Sequence, residues 1–106
     1  MDGKRNGKGK EYEDGDLRYE GEYLEGKRNG KGKEYIYGIK IFEGEYLNGK
    51  RHGKGKRYYL IGTLEFEGEY LNGKKHGKGK EYDCNGKLKF DGEYLDGKKS
   101  NLNNNI

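Results

Sequence analysis

Proline and tryptophan are absent from this 106-residue chain, and cysteine, serine and threonine occur once each, as Cys84, Ser100 and Thr63. Each scarcity excludes something. A chain with 21 glycines that relied on loops would normally use proline as well, whereas a continuous hydrogen-bonded sheet rejects proline and tolerates glycine where backbones or rings approach closely. A lone cysteine closes no intrachain disulfide and offers no metal pair, so a reducing, cytoplasmic setting is expected. With one serine in the tail and one threonine in a turn, no set of nucleophile, base and orienting group can be assembled. The expectation is therefore no enzyme, no cofactor and no small-molecule substrate. The longest apolar run, Tyr58-Tyr59-Leu60-Ile61, is far short of the roughly 20 residues that span a bilayer, so any membrane contact should be peripheral.

Composition alone points towards disorder, with 28% hydrophobic and 40% charged residues. Against it stand 11 tyrosines and 3 phenylalanines placed at even intervals, each able to bury a large area whenever two units touch. The net charge of +4 comes from 23 basic and 19 acidic residues, a mixed surface too even for a dedicated nucleic-acid binder. Interleaved glutamates would also repel phosphate, so no nucleic acid is expected as a partner.

What is abundant is repetition. The segment that opens at Tyr19 recurs from Phe42, Phe66 and, truncated, Phe90, at spacings of 23, 24 and 24 residues. A fixed period means one supersecondary unit stacked on copies of itself. The extra residue can be located: Tyr12 to Gly15 and Tyr35 to Gly38 span three positions, but Tyr58 to Gly62 and Tyr82 to Gly86 span four. Insertions fall in turns, so these glycines mark the connections between hairpins.

Within a unit, Phe42-Glu43-Gly44-Glu45-Tyr46 alternates with period two, which places Phe42, Gly44 and Tyr46 on one strand face and both glutamates on the other. Asn48-Gly49 is a strong hairpin signal, and Gly53-Lys54-Gly55-Lys56 is the returning strand. Two registers are open, through a two-residue turn or a six-residue loop; in both, glycine faces an aromatic or glycine, and lysine faces glutamate or a polar residue. The fold expected is all-β: tandem antiparallel hairpins in an elongated, twisted single-layer sheet of seven or so strands, with rings lying over bare glycine backbone. The repeat domain should run over 2–99, with a partial unit at 2–18, units at 19–41, 42–65 and 66–89, and a partial unit at 90–99. Residues 100–106 read as a disordered polar tail. Both sheet edges look unfinished, which invites self-association.

The pattern Tyr/Phe-Glu-Gly-Glu-Tyr-Leu-Asn-Gly-Lys-Arg-His-Gly-Lys-Gly resembles the membrane occupation and recognition nexus (MORN) repeat, over nearly the whole of Asp2 to Lys99. Carried over residue by residue, the leading aromatics are Tyr19, Phe42, Phe66 and Phe90, and the turn glycines are Gly26, Gly49, Gly73 and Gly97. Family members often have tryptophan where this chain has Tyr23, Tyr46, Tyr70 and Tyr94. The resemblance implies a hairpin-repeat scaffold that anchors proteins at membranes, binds anionic phospholipid, or grips a helix or another copy of itself.

Two candidate surfaces follow. The aromatic face, with Tyr23, Tyr46, Tyr70, Tyr94, Phe42 and Phe66, is expected to receive a protein partner: a peptide, a helix or a second copy. The basic pairs Lys27-Arg28, Lys50-Arg51 and Lys74-Lys75 follow equivalent hairpin turns and form a ridge that could attract anionic phospholipid headgroups of the phosphoinositide or phosphatidic acid type. The plainer alternative is a set of solvated turn lysines. Gly44 to Arg51 nearly spells a phosphate-binding loop but lacks a Ser or Thr and a following helix. His52 and His76 replace Asn6 and Asn29 at equivalent positions, a polar turn role without metal ligation.

Overall fold

The computed structural model describes residues 5–100. Among them the chain forms nine strands: β1 (Gly7–Glu13), β2 (Asp16–Leu24), β3 (Lys27–Ile36), β4 (Ile39–Leu47), β5 (Lys50–Tyr58), β6 (Leu64–Leu71), β7 (Lys74–Tyr82), β8 (Leu88–Leu95) and β9 (Lys98–Lys99). They make one open antiparallel sheet in sequence order, elongated to 58 × 28 × 17 Å, two strands more than the sequence suggested. Of the expected tail at 100–106, Ser100 donates its N–H to the Glu93 carbonyl at 2.7 Å, and 101–106 lie outside the described residues.

Each hairpin tip is a two-residue turn with positive φ at both positions, as at Asn48 (+51°) and Gly49 (+88°). That geometry matches the right-handed twist of the strands it joins. The extra residue of the later units sits where the spacing put it. Tyr37-Gly38 connects β3 to β4 tightly, while Tyr59–Thr63 and Asp83–Lys87 form longer loops closed by Tyr59 N–H to Thr63 carbonyl and Asp83 N–H to Lys87 carbonyl bonds.

Both registers left open by the sequence occur in the same hairpin. At the tip, Leu47 pairs with Lys50 and Tyr46 with Arg51, the two-residue turn. In the stem, Gly44 pairs with Gly55 and Phe42 with Arg57, the register of the six-residue loop. A bulge joins the two: Glu45 on β4 stands opposite His52, Gly53 and Lys54 on β5, and Gly53 absorbs the bend at φ +77°.

The stem register aligns Gly9, Gly21, Gly32, Gly44, Gly55, Gly68, Gly79 and Gly92 in one cross-strand row through eight strands. Over this row lie the rings. A Cβ at Gly55 would stand 2.6 Å from Phe42 Cζ and 3.1 Å from Tyr70 Cε1, and one at Gly32 would stand 2.5 Å from Tyr19 Cε1. The rings meet edge to face in an unbroken series, Tyr23, Tyr19, Tyr46, Phe42, Tyr70, Phe66, Tyr94 and Phe90, with centroids 5.2–5.8 Å apart. Such contacts contribute about 0.5–1.5 kcal/mol each beyond area burial. A single-layer sheet thereby acquires a core without a second layer: Tyr19, Phe42 and Phe66 are fully buried.

Because the ring beneath which Gly55 sits has no room to retreat, Gly55→Ala should lower unfolding free energy by about 1–3 kcal/mol. Urea denaturation followed by far-ultraviolet circular dichroism measures this, with Gly62→Ala as a control, since a Cβ at Gly62 meets nothing within 4 Å and only its φ of +97° is strained.

Candidate functional site

Strand alternation sends neighbouring residues to opposite faces, and this splits both expected surfaces. The aromatic residues are placed together as expected, but they are consumed by packing: Tyr23, Tyr46, Tyr70 and Tyr94 are 4–6% exposed and Phe42 and Phe66 not at all. Their rings are covered from outside by the basic side chains thought to form a ridge. Arg28 lies 4.2 Å over the Tyr19 ring, Arg51 4.1 Å over Phe42 and Lys75 Nζ 4.4 Å over Phe66. Only Lys27, Lys50 and Lys74 of the six remain exposed, so the ridge carries one free lysine per unit rather than a basic pair.

The lids are held by carboxylates. Arg28 donates Nε–H and Nη2–H to Glu11 at 3.0 and 2.9 Å, and Arg51 does the same to Glu34 at 3.0 Å for both bonds. The Tyr23 and Tyr46 hydroxyls donate to those same carboxylates, and Tyr94 donates to Glu81. Each such group joins a tyrosine, a carboxylate and a cation from three successive strands. Sequence reading missed it, although Glu11, Glu34 and Glu81 all stand directly before the tyrosine that closes Lys-Gly-Lys-Glu-Tyr.

The opposite face is the concave one. Two cavities of about 740 and 610 Å³ run along it, floored by the glycine row and walled by glutamates and lysines. Register alternates the charges: Lys31 faces Glu45, Lys33 faces Glu43, Lys54 faces Glu69 and Lys56 faces Glu67. The two signs are not equivalent, however. Glu20, Glu43 and Glu67 accept the hydroxyls of Tyr35, Tyr58 and Tyr82, and Glu22 and Glu69 accept the backbone N–H of Lys31 and Lys78 in the bulges. Among the described residues, none of Lys31, Lys33, Lys54, Lys56, Lys78 and Lys80 forms an ion pair. Five carboxylates of the groove thus hold internal donors, while these six lysines stay beyond ion-pair distance of the described carboxylates.

Burial and hydrogen bonding together set the titration of these groups on both faces. The Arg28 guanidinium holds Glu11 below its ordinary value of 4.5. Burial pushes Glu34 and Glu81 up, but the donors around them, Arg51 and Tyr46 for one, Tyr94, Lys75 and Lys99 for the other, reverse this and leave both lowered. Burial and the Glu20 and Glu43 carboxylates push Tyr35 and Tyr58 up to about 12, so their hydroxyls remain donors. No group of three or more His, Cys, Asp or Glu residues arranged to hold a metal occurs among the described residues.

Carboxylates that bind protons less readily when folded contribute stability that is present above the unfolded value near 4.5 and is lost as pH falls through their lower folded values. Thermal melts should accordingly be level from about pH 7 to 5 and decline below about 4.5. Glu34→Gln should melt lower at neutral pH and show a shallower acid decline; an unchanged acid slope would count against the role given to Glu34.

The family model described as the MORN repeat matches residues 1–17, 19–36, 42–63 and 66–87. No curated protein matches the chain. The chain belongs to the MORN repeat family. Repeats of this kind are generally non-catalytic interaction modules, associated with protein- and membrane-binding scaffolds and often with membranes. Among the described residues, no helix is long and apolar enough to cross a membrane.

Proposed function

We propose that this MORN-repeat chain is a non-catalytic scaffold whose concave groove docks an acidic segment of a protein partner. One observation carries the reading: along the groove Glu20, Glu22, Glu43, Glu67 and Glu69 already hold internal donors, while the lysines that face them across the strands, Lys54 and Lys56 among them, hold no ion-pair partner among the described residues. A partner's carboxylates would meet cations that cost little to recruit, and the bare glycine floor lets a backbone or helix lie close. A helix of about 20 residues is about 30 Å long, a match to several strand spacings of about 4.8 Å. The aromatic face is the lesser candidate, because its rings would have to shed their Arg51 and Lys75 lids to be touched.

A second reading has its own observation. Lys27, Lys50, Lys74 and Lys98 stay exposed at successive hairpin tips, spaced by two strands, or about 10 Å. Each lysine near an anionic bilayer contributes about 1 kcal/mol, so four support weak, salt-sensitive peripheral contact with the anionic cytoplasmic face of a membrane.

The readings separate by charge reversal. Lys54→Glu with Lys56→Glu should weaken binding of a labelled, glutamate-rich helical peptide at least tenfold in anisotropy titrations, and raised salt should weaken the parent protein likewise. Lys50→Glu with Lys74→Glu should leave peptide binding unchanged and abolish sedimentation with phosphatidylserine vesicles. Peptide binding indifferent to the groove pair overturns the docking proposal.

A further inference from the structure

One column of the convex face breaks the repeat. Cross-strand pairing places Glu11, Tyr19, Glu34, Phe42, Arg57, Phe66, Glu81 and Phe90 in a single row, carboxylate alternating with ring, until Arg57 stands where a carboxylate belongs. In the three regular groups that carboxylate accepts a tyrosine hydroxyl and a cation from the following strand pair: Tyr23 and Arg28 on Glu11, Tyr46 and Arg51 on Glu34, Tyr94 and Lys99 on Glu81. The fourth group has its donors and lacks its acceptor.

Three observations follow from that one exchange. The Tyr70 hydroxyl, on a residue 5% exposed, is buried with no hydrogen-bond partner, alone among the four equivalent tyrosines. Lys75, in the place of Arg28 and Arg51, makes only a 3.8 Å contact to Glu81, a carboxylate that Tyr94 and Lys99 already use. Arg57 itself turns away to Glu65, Nε to Oε1 3.1 Å, with its side chain 40% exposed. A buried donor without an acceptor is costly, and the sister units show which group relieves it.

The geometry points to a carboxylate site at Tyr70, Lys75 and Arg57, filled by an acidic side chain of a bound partner standing where Glu11, Glu34 and Glu81 stand in the sister units. The occupant would accept the Tyr70 hydroxyl and the Lys75 ammonium as those glutamates do, and a rotamer change of Arg57 away from its half-exposed partner would add a guanidinium contact. A carboxylate fits better than phosphate because the place is cut, three times over in this chain, to the width of a glutamate headgroup between a tyrosine and a cation. The site lies on the face opposite the groove and stands or falls independently of the docking reading above.

The test is nuclear magnetic resonance of the full chain with labelled tyrosine rings, titrated with a glutamate-bearing pentapeptide blocked at both ends, its glutamine counterpart, and inorganic phosphate, all at constant ionic strength. The Tyr70 ring signals should shift saturably with the glutamate peptide and not with the glutamine one. The response should vanish in Arg57→Glu, whose own carboxylate occupies the place, and that variant should melt at a higher temperature than the parent. Tyr70→Phe, which keeps the ring and its packing, should bind the peptide at least fivefold more weakly by calorimetry. Equal responses to both peptides, no saturable response, a stronger response to phosphate, or an Arg57→Glu protein that responds like the parent would each overturn the assignment.

Discussion

Everything in this molecule depends on rings packed closely against a backbone that has no side chains. A single sheet normally has nowhere to hide an aromatic group; here the row from Gly9 to Gly92 provides a shallow trough into which the rings sink until neighbouring rings and a cation close over them. The consequence runs in both directions. Glycines weaken a strand by entropy and by lost packing, and the rings restore what they lose. The rings would be exposed on any other sheet, and the glycines make them a core.

This economy assigns the two faces their tasks. Most of the convex face is spent on stability, since Tyr23, Tyr46 and Tyr94 are bound to glutamates and Arg28 and Arg51 to two of the same glutamates, Tyr70 being the exception. The concave face is built from the alternate positions of the same strands, with Glu20, Glu43 and Glu67 steadied by Tyr35, Tyr58 and Tyr82 and with Lys54 and Lys56 outside any ion pair among the described residues. The two faces share every strand, and the bulges at Gly53 and its counterparts set the register of both.

Much of the fold was legible in the sequence, and the reasons are specific. Period-two alternation around Gly44 separated the faces, Asn48-Gly49 fixed the tip, and the extra residue before Gly62 and Gly86 marked the longer loops. The bulge was not legible, because both candidate registers put glycine and lysine on the same faces and only a turn and stem of different register reveal the two unpaired residues between them. The surfaces were read less well. Lys50 and Arg51 read as a pair in the sequence, yet adjacent strand residues diverge, and Arg51 folds onto Phe42 while Lys50 stays in solvent. The aromatic row and its burial between units were visible, but the cationic lids over the rings were not, since they come from residues one strand away. Arg57 was legible in principle: Lys-Gly-Lys-Arg-Tyr beside three copies of Lys-Gly-Lys-Glu-Tyr is a difference that alignment of the units exposes.

The series of edge-to-face rings ignores the boundaries of the repeats. Contacts between units, Tyr19 to Tyr46, Phe42 to Tyr70 and Phe66 to Tyr94, have centroids 5.2–5.3 Å apart, closer than the 5.4–5.8 Å within units. Nearest-neighbour coupling of this strength leaves no seam at which one hairpin could melt while its neighbours persist. A hairpin that opened would strip edge-to-face contacts from the units on both sides of it, so disorder in one repeat is passed on to the next.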